Sequence, residues 1–66
     1  MIFDVKKLYC LMAKKGFTAK SLTKAAGVGA NTVRGIIKHG QKPSPATIGK
    51  LALALNVEPE ELLKEE

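Results

Sequence analysis

Gly27 separates two short apolar periodicities, and nothing else in the 66 residues constrains the fold as tightly. Before it, Thr18 is a candidate N-cap, and Leu22, Ala25 and Ala26 set small and apolar side chains on one helical face. That pattern stops at the glycine, which lacks the Cβ that opposes a left-handed turn. After it, Val33, Ile36 and Ile37 recur at spacings of three and four, so they form one buried stripe on a second helix from about Ala30 to Lys38. The stretch from Thr18 to Gly40 is therefore predicted to be two short helices joined at a tight corner.

The face opposite the Val33 stripe carries Asn31, Arg34, Gly35 and Lys38. A short helix that turns a basic, amide-bearing face outward after a glycine corner suits insertion into the major groove of double-stranded DNA. Charge points the same way, because the chain carries a net +5 with a pI near 9.6. Lys6, Lys7, Lys14, Lys15, Lys20, Lys24, Arg34, Lys38, Lys42 and Lys50 all precede Leu51, against Asp4 as the one acid there. Beyond that point only Lys64 opposes Glu58, Glu60, Glu61, Glu65 and Glu66. One end of the molecule is thus set to be held away from a phosphate backbone, which describes an oriented surface rather than a uniformly sticky polycation.

Other classes find little support. Cys10 and His39 are each the sole residue of their type, so neither a disulfide nor Cys/His metal-ligand spacing is available, and a reducing cytoplasm is expected. No cofactor and no small-molecule ligand is expected. His39 has no carboxylate fixed near it in sequence, and the tail glutamates read as a solvated, helix-starting cluster, so an enzyme is the least supported reading. Cys10 falls on the polar side of its helix without an activating partner. The apolar run LYCLMA from Leu8 to Ala13 is too short to span a bilayer and is closed by Lys14 and Lys15 rather than a cleavage site. It is read as part of a core helix, and no membrane partner is expected.

Taken in order, helix one runs from about Asp4, its N-cap, to Lys15, with Val5, Leu8 and Met12 on its apolar stripe and Gly16 as its stop. Phe17 precedes the Thr18 cap, placed to staple onto Leu22. Thr18 leaves N–H groups at the helix start that, with Lys20, suit a phosphate oxygen, and it serves equally as a plain cap. After Gly40 and the loop to Pro43, Ser44 and Pro45 restart a helix with Ile48, Leu51, Ala52 and Leu55 inward and Asn56 as a left-handed end. Within it Gly49 marks a candidate close helix-to-helix approach, and Leu53 projects from the polar face as a candidate dimer contact. Val57 to Leu63 is read as a fifth helix starting at Pro59. The expectation is an all-α, compact five-helix bundle, one domain over residues 1–66, without strands and without a ligand-sensing unit.

Five short helices with the corner between the second and third resemble the Cro and phage-repressor type of helix-turn-helix domain, the lambda-repressor-like XRE family. The features that match are KKGFT at Lys14 to Thr18, Leu22, AAGV at Ala25 to Val28, Thr32-Val33, Ile36, KPS at Lys42 to Ser44, and LALALNV followed by EELL. The resemblance implies a transcriptional regulator, most simply a repressor, that binds double-stranded DNA. It makes helix three the recognition helix, with Ala30, Asn31 and Arg34 at base edges. Thr18, Lys20, Thr32, Lys38, Lys42 and Ser44 then lie by phosphates. Homodimerisation on a two-fold symmetric site is left open.

Departures from the family pattern bear on this reading. Glutamine is common just after the helix-two cap, where this chain has Ala19; Gly29 replaces the usual hydroxyl cap of helix three, and Gly35 stands where a longer polar residue is common. These changes shrink the reading surface. Where members often bury an arginine of helix one against a glutamate of helix three, the corresponding residues here are Met12 and Ile37, predicted to meet as an apolar pair. The shortened reading surface also supports an alternative, a protein-interaction module of the same fold that binds a toxin or anti-repressor partner. A third reading, a secreted membrane-active peptide, conflicts with the acidic tail and the missing signal.

Overall fold

Caps set the helix boundaries. In the computed structural model, which describes residues 2–64, the Asp4 carboxylate accepts the Lys7 N–H at 3.1 Å and opens α1 (Val5–Lys15), closed by Gly16 at φ 74°. Thr18 and Ser21 exchange side-chain-to-backbone hydrogen bonds of 3.0 and 2.8 Å, a capping box that opens α2 (Ala19–Ala26). Gly27 ends it at φ 70°, so the corner is where the sequence puts it. The helix α4 (Pro45–Leu55) starts where Ser44 Oγ accepts the Thr47 N–H at 3.3 Å and stops at Asn56, φ 57°.

The start of α3 (Thr32–His39) differs from expectation. Gly29 has no side chain to cap with, and instead its carbonyl accepts the Thr32 N–H at 3.0 Å, closing a turn through Ala30 and Asn31. The helix thus begins two residues later, with Asn31 in the cap position but making no side-chain cap bond.

Among the described residues four α-helices form, not five. Pro59–Leu62 makes a single 3-10 turn, held by the Glu61 carboxylate accepting the Glu58 N–H at 3.0 Å. Leu63 then turns extended, and β2 (Leu63–Lys64) pairs antiparallel with β1 (Ile2–Phe3), Ile2 opposite Lys64 and Phe3 opposite Leu63. The Asp4 N–H donates to the Leu62 carbonyl at 2.7 Å and the Lys7 ammonium to the Leu63 carbonyl at 2.9 Å, so the backbone of the tail finds partners across the molecule rather than along a helix. The expected absence of strands is corrected by this short pair: two residues per strand are too few to show alternation. Glu65 and Glu66 of the acidic tail lie outside the described residues.

Leu8, Met12, Leu22, Val33, Ile36, Leu51, Ala52, Leu55 and Leu62 form the buried core, so every helix and the 3-10 turn contribute to it. Phe17 and Ile37 pack against that core half-buried. Met12 and Ile37 therefore serve the same apolar interior, and no charged side chain is buried among the described residues. Two expectations fail here. Ala25 is exposed, whereas Ala26 packs against the core as expected and Ala19 takes the place given to Ala25. A Cβ built on Gly49 meets no atom within 4 Å, so this glycine marks no close helix approach.

Candidate functional site

Burial of Val33 and Ile36, with Ile37 half-buried beside them, fixes the rotation of α3 about its axis. The residues opposite must then face solvent, and Asn31, Arg34 and Lys38 are all exposed. Ala30 is exposed as well, carried by the turn before the helix rather than by the helix itself. Packing of α2 across α3 brings a second set of side chains alongside. Ala19, Lys20 and Thr23 of α2 and Ala30, Asn31 and Arg34 line one open groove. Thr23 turns its hydroxyl inward onto the Ala19 carbonyl at 2.8 Å, which leaves Lys20, Asn31 and Arg34 as the long polar groups at the groove.

Of the sequence-predicted phosphate residues only Lys20 lines this groove, and Lys42 borders a separate depression with Phe3, Val5 and Pro43. Thr18 is exposed, but its hydroxyl and its N–H are both committed to Ser21, so the capping box consumes two of the four N–H groups that a helix start leaves open. Ser44 is exposed and likewise occupied in capping, with its hydroxyl also 3.1 Å from Thr47 Oγ1. Thr32 is half-buried under the turn. Lys38 and Lys42 are exposed on either side of Gly40, whose left-handed conformation (φ 65°) returns the chain past the end of α3.

Gly35 is the exception to the outward face. It is buried, because the Gln41 side chain folds back over it, while its carbonyl accepts the Gln41 N–H at 3.2 Å. Gln41 was absent from the sequence-derived site. Its only signal there is a bare glycine in an outward helical position followed by a loop that starts with another glycine.

Leu53 takes no part in the α2–α3 groove. It is 82% exposed and borders a separate depression with Gly49, Asn56, Val57, Glu58 and Glu61. Among the described residues no group of three or more His, Cys, Asp or Glu side chains could hold a metal ion, and no helix is long and apolar enough to cross a membrane.

This arrangement can be set against known proteins. The family model of the Cro/C1-type HTH DNA-binding domain matches residues 7–66. Among solved structures, the chain is similar to the restriction-modification controller protein C.AhdI from Aeromonas hydrophila, with 32% identity over 89% of each chain and a TM-score of 0.82. The hypothetical transcription factor NHTF from Neisseria superposes with a TM-score of 0.83 over 91% of this chain and 69% of that one; at 22% identity it shows the fold alone. A hydroxyethylphosphonate dioxygenase variant is 31% identical with a TM-score of 0.82, but the likeness covers 98% of this chain and 14% of that enzyme. Comparison with curated proteins finds no match.

Proposed function

Since the chain belongs to the Cro/C1-type helix-turn-helix DNA-binding domain family, we propose that it is a sequence-specific transcriptional regulator that lays α3 in the major groove and represses by covering a promoter. The observation that carries this reading is the single open groove shared by Lys20, Ala30, Asn31 and Arg34. It offers a cation, an amide and a guanidinium side by side on a scaffold whose rotation the core fixes. Likeness to a restriction-modification controller supports a regulatory role.

In this reading Asn31 pairs bidentately with an adenine and Arg34 with a guanine, while the Ala30 methyl meets a thymine methyl. Lys20, Lys38 and Lys42 supply the salt-dependent attraction to phosphates, and Thr18, Thr32 and Ser44 settle the ends of α2, α3 and α4 against the backbone. Residues 1–66 act as one DNA-binding unit in the cytoplasm, where an exposed lone thiol such as Cys10 stays reduced.

The unit works as a homodimer. It presents one recognition helix, α3, whereas the two half-sites of a helix-turn-helix operator lie roughly 34–36 Å apart. A two-fold site therefore needs two copies, and Leu53 is the apolar side chain offered for their contact.

Selection of sites from a randomised duplex pool at fixed, near-physiological salt tests the reading. The expected winner binds at least about 10³-fold tighter than scrambled duplex and has two-fold symmetry. Absence of enrichment would remove the base-reading roles of Asn31 and Arg34 and favour a protein partner on the same surface.

A further inference from the structure

We propose that Gln41, carried by the loop after α3, supplies the base-reading side chain that Gly35 lacks. This rests on α3 being the recognition helix. At about 100° per residue, position 35 lies one turn from both Asn31 and Lys38 and about 160° round the helix from the buried Val33. A side chain there would point at the same surface as Asn31, yet glycine provides none. The space is nonetheless filled. A Cβ built on Gly35 would collide with Gln41 Oε1 and Cδ and come within 3.3 Å of Nε2, so the Gln41 amide sits where a residue-35 side chain would begin.

Backbone geometry keeps it there. The Gly35 carbonyl accepts the N–H groups of both Gly40 and Gln41, the second at 3.2 Å, which pins the loop against the last turn of α3. Gly35 is buried and Gln41 is exposed, so the glutamine covers the helix at this position while the residue as a whole stays open to solvent. The side-chain hydrogen bonds of the described residues do not include the Gln41 amide. A primary amide with its donors and acceptor uncommitted matches the N6 and N7 edge of adenine in the major groove. Glycine at position 35 is then what admits this reader, since any larger residue would push the amide aside.

Parallel site selections with the native protein, Gln41→Ala and Gly35→Ala at one salt concentration test this. Gln41→Ala is expected to keep the preferences set by Asn31 and Arg34 and to lose, by about tenfold or more, the preference at one neighbouring base pair. Gly35→Ala is expected to lose the same preference with Gln41 still present, because its methyl displaces the amide. The collision involves the end of a flexible side chain and Gly35 has no positive φ, so this variant keeps the fold, as a thermal melt by circular dichroism will show. If both variants select the native site with undiminished discrimination, Gln41 reads no base. Uniform weakening on every duplex, with a lower melting temperature, would reduce Gln41 to a positioning residue and overturn the proposal equally. Failure of the native protein to enrich any site would overturn the recognition-helix reading itself, a result distinct from both.

Discussion

Arg34 extends from a helix whose inner residues, Val33 and Ile36, are at most 1% exposed, so the direction of its side chain is decided by the core and not by its own contacts. Removing it should leave the fold alone and change what the surface recognises. Arg34→Ala is expected to cost about 1–3 kcal/mol of discrimination at one base pair, with an unchanged melting curve, measured by competition between the selected duplex and single-base variants. Equal weakening on all duplexes would make Arg34 a phosphate contact instead. The outward residues Asn31, Arg34 and Lys38 were legible in the sequence because the spacing of Val33, Ile36 and Ile37 determines which side of α3 is wet. Gln41 was not. Its contact with Gly35 spans six residues through a loop, and helical periodicity says nothing about a path that depends on the left-handed turn at Gly40.

Helix boundaries were legible wherever a capping side chain is present: Asp4, Thr18 and Ser44 accept the N–H groups expected of them, and Gly16, Gly27 and Asn56 close helices in left-handed conformations. The reading failed where a neighbour in space took over. At Gly29 a carbonyl replaced the missing cap, and after Leu62 the chain left the helical path to pair with Ile2 and Phe3. Gly49 failed for another reason. Its cost to α4 suggested a compensating close approach, but open space surrounds it. Replacing it should therefore return the helix propensity with nothing lost: Gly49→Ala is expected to stabilise by about 1 kcal/mol. For a domain of this size that raises the melting temperature by roughly 4–8 °C. A lower melting temperature would mean that α4 does not tolerate a methyl on that side.

At the scale of the molecule, pairing of β1 with β2 ties the two ends of the described chain together, and the Lys7 ammonium on the Leu63 carbonyl adds to that tie. Lys20, Lys38 and Lys42, the lysines proposed to meet phosphates, are all exposed. Each phosphate neutralised contributes about −0.9 to the slope of log K against log salt, so Lys42→Ala should weaken all duplexes alike and make the slope shallower by about 1. An unchanged slope would place Lys42 off the DNA. Leu53 tests the assembly. It is 82% exposed, and Glu58 and Glu61 line the same depression, so Leu53→Glu adds a like charge at the proposed contact without disturbing the core. The variant should melt as the native protein does and bind a single half-site with native affinity. On the full two-fold site it should lose cooperative binding of the second copy, followed by sedimentation with duplexes carrying one or two half-sites. Native stoichiometry and cooperativity on the full site would show that two copies meet elsewhere, and the exposed leucine would then have no part in assembly.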